Sequence, residues 1–317
     1  MSTCSVVVPA TNAPPTLGRC LAAIHEAADG PDEVVVVDGP DELSASGARN
    51  EGVRRATGEI VVFVDADVEV HADAFARLRA AFDADPDRTA VFGSYDDRPD
   101  HPGVVSRFRN LLHHHVHQHG AGPAETFWTG LGAVRREAFL AIGGFDEVRY
   151  PHPSIEDIDL GTRLCENGAV VALDPAIQGT HLKHWTLGSM LWTDLVHRGI
   201  PWVVLQLRTG RLSTTLNLGW RHRLSALVTV MSVLAVLLWQ PALVLVGAGL
   251  FVGLNHAFYA LLIRQLGVLQ GAAGVALHGL HHLVAVAAVP AGIAVAIVAG
   301  VATWRASEEP VIGTVAE

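Results

Sequence analysis

The sequence predicts an α/β domain over residues 1–185, built on a Rossmann-like, mostly parallel sheet and followed by interfacial helices and about three transmembrane helices. Two observations predict it. Short continuous apolar runs alternate with helical patterns over residues 4 to about 185, which is the signature of strands buried on both faces by crossover helices. Further on, residues 224–263 and 265–304 contain no Asp, Glu, Lys or Arg, and a bilayer crossing takes roughly 20 mostly apolar residues.

Each element follows from local pattern. SVVVP (5–9) reads as a strand, and residues 16–28 as an amphipathic helix with Leu17, Leu21 and Ile24 on one face. EVVVVD (33–38) is a second strand, SASGARNEGVRRATG (44–58) a helix stopped by Gly58, and EIVVFVD (59–65) a third strand. A helix over 72–84 and a strand TAVFGSY (89–95) come next. The segment 110–120 carries His113, His114 and His117, spaced for one face of a helix rich in neutral histidine. A helix begins near Ser154, and residues 169–185 read as two short strands around an Asp174–Pro175 turn.

Residues 186–223 mix Trp192, Trp202 and Trp220 with Arg198, Arg208, Arg211, Arg221 and Arg223, a composition suited to a membrane–water boundary. The run 224–263 splits at Trp239-Gln-Pro241 into two crossings. A third spans about 276–301, with a kink expected at Pro290, and 305–317 is a tail. Arg221, Arg223 and Arg264 place the flanking loops and the α/β domain on the cytosolic side of the cytoplasmic membrane, with Glu308 and Glu309 outside.

Bulk properties exclude some functions. A net charge of −10 disfavours nucleic acid as a partner. Cys4, Cys20 and Cys165 form no CxxC pair, so they read as reduced thiols. The N-terminus does not read as a signal peptide.

The third strand runs straight into Asp65-Ala66-Asp67. Ligands of open α/β sheets bind beyond the carboxyl ends of the strands, and two such carboxylates repel unless a cation lies between them. Oxygen ligands of this kind suit Mg2+ or Mn2+, with substrate phosphates completing the shell. Asp157, in Ser154-x-x-Asp157, fits either a separate base or a helix cap whose carboxyl is held low.

In order, VVVPATN, VVVVD, GARNEG, FVDADV, TGLGAVRREAFLAIGGFDE and IEDIDLGTRL resemble the motifs of the family 2 inverting glycosyltransferases of GT-A fold. The resemblance covers residues 4 to about 185. It implies a nucleotide diphosphate sugar donor, bound through Pro9, Asn12, Asp38, Arg49 and Asp65. It implies Asp65 and Asp67 at a metal–diphosphate site, and Asp157 with Glu156 at the general base. His181 is a third metal ligand or a diphosphate contact; Gly130 and Trp185 lie on the acceptor side. Two departures stand out. Asp38-Gly39-Pro40-Asp41 replaces the family's Asp-Asp-Gly-Ser, and His181-Leu-Lys183-His184-Trp185 replaces the Gln-x-x-Arg-Trp of processive synthases, which argues against a long polymer product. The apolar C-terminal runs add a lipid or lipid-linked acceptor and the membrane as partners. Transfer to a polyprenyl phosphate carrier and a catalytically inactive nucleotide-binding scaffold are the alternatives.

Overall fold

A computed structural model describes residues 2–40, 42–210 and 219–308, with side chains up to residue 300. Asp41, Arg211 and the acidic tail side chains lie outside the described residues. In chain order the elements are β1 (Cys4–Pro9), α1 (Leu17–Glu26), β2 (Glu33–Val37), α2 (Ala45–Arg55), β3 (Ile60–Val64), β4 (Val68–Val70), α3 (Ala74–Ala84), β5 (Arg88–Tyr95) and α4 (Val104–Gln118). Then come β6 (Gly122–Pro123), β7 (Leu131–Arg135), α5 (Arg136–Ala141), α6 (Glu156–Glu166), β8 (Val170–His181) and α7 (Leu187–Trp192). A π-helical turn (Thr193–Gly199), α8 (Ile200–Thr209), α9 (Trp220–Leu237), α10 (Pro241–Leu254) and α11 (His256–Glu308) complete the chain.

The strands form one sheet in the order β2-β1-β3-β7-β5-β8-β4, with β6 on β8. The sheet is mixed, which corrects the mostly parallel expectation. Pairs β1·β2, β1·β3 and β5·β8 are parallel, whereas β7 lies antiparallel between β3 and β5, and β4 and β6 lie antiparallel to β8. Even so, β1, β2, β3, β5 and β8 all point the same way, because two successive antiparallel steps across β7 restore the direction. Their carboxyl ends therefore share one rim, to which the antiparallel β7 delivers its N-terminal end. The two strands expected around Asp174–Pro175 are one strand, β8, carried past the proline by shifts in its register with β5.

The unbroken apolar runs reflect burial on both faces. In β3, Ile60, Val62 and Val64 pack with Ile24, Phe75 and Leu78 on one side. Val61 and Phe63 pack with Phe92, Phe127, Phe139 and Leu160 on the other. Burying such a side chain contributes about 1.5–3 kcal/mol, so a strand buried on both faces has little use for polar residues until it leaves the sheet at Asp65.

The C-terminal helices dock on α4. Phe108, Leu111 and Leu112 of α4 meet Phe258, Tyr259 and Leu262 of α11, with Trp185 and Met190 in the same cluster. A buried ion pair marks this junction: Arg109 Nη2 of α4 is 2.7 Å from Asp194 Oδ1 of the π-helical turn, and His281 Nδ1 of α11 is 2.9 Å from Asp194 Oδ2. Burial would raise the Asp194 carboxyl, but Arg109 and His281 hold it well below its usual range.

Helices α9 and α11 are long and apolar enough to cross a membrane, and most of the surface of each apolar window is outside the protein interior. The second expected crossing is α10, whose 14 residues are fewer than the roughly 20 a crossing takes. It ends at the half-polar contact of Asn255 Nδ2 with Ser225 Oγ of α9. Two candidate spans are therefore clear, rather than three. The backbone of α11 leaves helical geometry at Gly267 (φ 75°) instead of at Pro290.

Removing Asp194 strands a buried guanidinium, which costs about 3–5 kcal/mol in comparable sites. Asp194→Ala is expected to lower the thermal midpoint of the detergent-solubilised protein by several degrees. An unchanged midpoint would show that the C-terminal helices dock without this pair.

Candidate active site

The rim gathers polar side chains from elements far apart in sequence. Asp65 and Asp67 follow β3. Asp65 is drawn toward β7, its N–H donating to the Gly130 carbonyl at 3.2 Å. Gly130 is required here: a Cβ would lie 2.2 Å from the Trp128 ring, in the segment that receives Asp65. Asp67 is anchored through its carbonyl, which accepts from Leu182 N–H at 2.8 Å, just past the end of β8. That register sets His181 Nε2 3.6 Å from Asp67 Oδ2.

Arg49 binds the separate carboxylates into one unit. It projects from α2, whose first turn is capped by Gly47 N–H donating to Ser44 Oγ. Its Nη2 donates to Asp65 Oδ1 at 2.7 Å and its Nη1 to Glu156 Oε1 at 3.0 Å. Arg49 is 5% and Glu156 5% exposed. Burial alone would lower the guanidinium's pKa, but Asp65 and Glu156 hold it above the usual arginine value. The neighbouring Asn50 fixes the loop that precedes Glu156. Its Nδ2 donates to Phe145 O and Glu147 Oε1, and its Oδ1 accepts from Phe145 N–H. The Ala-Arg-Asn and Gly-Gly-Phe-Asp-Glu segments thus meet in space.

Helix α6 starts at Glu156, with Ile155 at its N-cap and no side-chain cap bond. This corrects the capping reading of Ser154-x-x-Asp157. Ser154 N–H donates to Glu156 Oε2, the Ser154 hydroxyl donates to the His197 carbonyl of the π-helical turn, and Asp157 Oδ1 accepts from the adjacent Ile158 N–H at 2.8 Å. The Asp157 carboxyl is accordingly not held low. Burial first, then the Glu156 charge, raises it to about 7, against opposing pulls from Arg49 and Arg198. Part of Asp157 remains open to solvent, while the surrounding protein withdraws it from bulk water.

Of the remaining expected residues, Pro9 ends β1, Asn12 is exposed on the following turn, and Asp38 is exposed just beyond β2. All three sit on the same rim as Asp65. Trp185 is elsewhere: it is 6% exposed in the cluster joining α4 and α11, with Lys183 Nζ 4.6 Å and Arg109 Cζ 5.8 Å from its ring. A side chain so enclosed has no open face for stacking on an acceptor, which corrects that expectation. His113 and His117 also face inward, in tilted contact with each other, with His113 tilted against Trp128 and His117 edge-on to it. Burial pushes His117 down to about 4. Among the described residues no group of three His, Cys, Asp or Glu side chains is preassembled to hold a metal ion.

Three contributors escape sequence reasoning. Tyr95, at the end of β5, stacks on His181 with ring centroids 4.1 Å apart and planes 12° apart. Trp128 meets Tyr95 edge-on at 4.8 Å. Arg198, exposed on the π-helical turn, acts electrostatically on Asp157 and on Asp194. Only strand pairing brings the first two to His181. Arg198 sits in a stretch whose Trp and Arg content points to a membrane surface.

Asp67 and His181 fit a divalent cation as an open, incomplete set: one carboxylate and one imidazole at 3.6 Å, with Asp65 beside them but engaged by Arg49. Hard cations of this type commonly take one or two carboxylates and fill the rest of the shell with phosphate and water.

Comparison with known proteins agrees with this geometry. Residues 40–143, about a third of the chain, match the family model described as Glycosyl transferase family 2. The match includes Arg49, Asp65, Asp67 and Gly130 and stops before Glu156, Asp157 and His181. No curated protein matches the chain. Among solved structures, the mannosyltransferase PcManGT from Pyrobaculum calidifontis, in complex with GDP-Man and Mn2+, superposes with a TM-score of 0.57 at 18% identity, covering 92% of this chain and 87% of that one. Glucosyl-3-phosphoglycerate synthase from Mycobacterium tuberculosis, in complex with Mn2+, UDP-glucose and glycerol 3-phosphate, gives 0.44 at 19% identity, covering 67% of this chain and 82% of that one. GalNAc-T7 with UDP, GalNAc and Mn2+ gives 0.45 at 15% identity, covering 65% of this chain and 48% of that one. The likeness to the first of these shows the GT-A-like fold.

Gly130→Ala must displace Trp128 or the carbonyl that holds Asp65. The variant is expected to fold, because Trp128 is only partly buried, and to weaken nucleotide binding at least tenfold by calorimetry. Wild-type affinity in this variant would remove Gly130 from the site.

Proposed function

We propose that the protein is a membrane-anchored, inverting, metal-dependent glycosyltransferase. It moves a sugar from a nucleotide diphosphate donor to a hydroxyl of a lipid or lipid-linked glycan. The observation that carries this reading is the division of labour at the rim. Carboxylates Asp65 and Glu156 are both paired with Arg49, while the carboxyl of Asp157, one residue from Glu156, is raised to about 7.

Transfer requires a leaving diphosphate to accumulate charge and an acceptor hydroxyl to lose a proton. Mg2+ or Mn2+ held by Asp67, His181 and Asp65 would supply Lewis-acid stabilisation of the leaving group. Arg49 orients Asp65, and Pro9, Asn12 and Asp38 at the ends of β1 and β2 border the nucleotide. Asp157 Oδ1 is engaged by Ile158 N–H, so Oδ2 is the oxygen that takes the acceptor's proton. A carboxylate whose pKa lies near the working pH is well matched to that task. Attack from the side opposite the diphosphate inverts the anomeric centre. Gly130 borders the acceptor side through Trp128.

The membrane part of the reading rests on α9 and α11. Leu237, Leu238 and Trp239 near the end of α9 are 68%, 68% and 90% exposed, a costly arrangement in water and a favourable one in lipid. With Arg221, Arg223 and Arg264 at the span ends, the α/β domain faces the cytosol. A specific observation favours a second acceptor class: Arg198, exposed beside Asp157, suits an anionic acceptor such as a polyprenyl phosphate, which needs no base. A scaffold of another class would bind nucleotide without turnover.

These readings separate experimentally. Asp157→Ala is expected to abolish transfer to a hydroxyl acceptor while retaining nucleotide binding; full activity would remove Asp157 as the base. Chelation of divalent ions is expected to abolish transfer, with Mn2+ or Mg2+ restoring it.

The pH profile gives an independent check. A raised carboxyl must be deprotonated to act, so the rate is expected to fall as pH drops through about 7. Glu156→Gln removes the like charge and is expected to move that limb to lower pH. A limb near 4 in the wild type would contradict the assignment.

A further inference from the structure

A second polar cavity lies on the reverse side of α4. At 100° per helical residue, His115 and His119 point away from His113 and His117. Where the latter pack toward the sheet, the former face a cavity of about 460 Å³ at the junction of α4 with α9 and α11. Four histidines and one arginine line it, His115, His119, His222, His278 and Arg221, and among the described residues no carboxylate does.

His278 is 1% exposed. Its Nδ1 is 3.0 Å from the Tyr259 hydroxyl, while its Nε2 is buried with no partner among the described residues. Buried polar atoms are nearly always hydrogen-bonded, so an orphaned imidazole nitrogen on a cavity wall points to a ligand atom. His115 is held down at about 4, by burial first and then by His119, Arg221 and His222. Arg221 supplies the positive charge for an anion here, and neutral imidazoles supply N–H donors. Leu112, Val116 and Phe258 supply the apolar part of the wall. Trp220, 69% exposed at the mouth, opens it toward the start of the apolar helix α9. The histidines do not form a cation site, since no three of them converge for a metal ion among the described residues.

We infer that this cavity binds an amphiphilic phosphate, with the phosphate on Arg221 and the His119–His222–His278 side and the apolar chain against Leu112, Val116 and Phe258. The site is separate from the rim carboxylates, and the inference does not rest on glycosyl transfer. Two sources share this chemistry, a glycerophospholipid with a terminal phosphate and an isoprenoid phosphate.

The test is native mass spectrometry of the full chain in detergent, titrated with dioleoyl phosphatidic acid, farnesyl phosphate, farnesol and inorganic phosphate. At least one of the two phosphate amphiphiles is expected to form a one-to-one complex at least tenfold tighter than farnesol or inorganic phosphate; which one does so identifies the source. Arg221→Gln and His119→Gln, both at exposed positions, are each expected to weaken that complex at least fivefold. His278→Phe is expected to abolish it, with the thermal midpoint confirming that each variant is folded. Asp157→Ala is expected to bind the probe unchanged, so a failed transfer assay and a failed cavity are distinguishable. The inference is overturned if neither phosphate amphiphile outbinds farnesol, or if the folded Arg221→Gln and His119→Gln variants bind like wild type.

Discussion

The Arg49 bridge between Asp65 and Glu156 is the interaction on which the site depends. One guanidinium, almost wholly buried, joins the end of β3 to the start of α6, from Asp65 to Glu156, although the two lie far apart in sequence. Without it, acidic side chains withdrawn from water would face each other, at a desolvation cost of several kcal/mol per ion. With it, two carboxylates are paired and fixed, while burial and the Glu156 charge raise the third, Asp157, against the pull of Arg49. The bridge therefore sets both the shape of the rim and the chemistry available there.

The sheet makes this convergence possible. Two antiparallel steps across β7 leave five strand ends on one edge, so residues as distant as Pro9 and His181 share a rim. The π-helical turn adds a contribution from the segment that leads into the C-terminal helices. Its His197 carbonyl receives the Ser154 hydroxyl, its Asp194 is gripped by α4 and α11, and its Arg198 acts on Asp157. A π-turn is a frequent companion of functional sites. Here it couples the docking of the C-terminal helices to the loop, through Ser154, that leads into α6 and Asp157.

Much of this is legible in sequence, for identifiable reasons. The runs at 5–9, 33–37 and 60–64 declare themselves because burial on both faces forbids polar interruption. Asp65 and Asp67 declare themselves because nothing in the packing of β3 calls for charge at its end. The antiparallel placement of β7 is illegible, since LGAVR is as apolar as a parallel strand and pairing direction leaves no local trace. β8 hides as two strands because Asp174-Pro175 has the composition of a turn, and only its register shifts against β5 show how the strand passes it. The burial of Trp185 depends on α11, whose Phe258 lies more than seventy residues further on. Likewise the raised carboxyl of Asp157 follows from its burial and from the Glu156 charge, against the pull of Arg49, whereas the local pattern suggested a cap with a lowered one.

The central claim is most directly tested by an experimental structure of the full chain with a nucleoside diphosphate and Mn2+. The account predicts the cation bonded to an Asp67 carboxylate oxygen at roughly the 2 Å spacing of hard cation–oxygen bonds, the diphosphate on its open side, and the Arg49 bridge intact. A diphosphate bound away from the ends of β3 and β8, with Asp65 and Asp67 turned from it, would contradict the account.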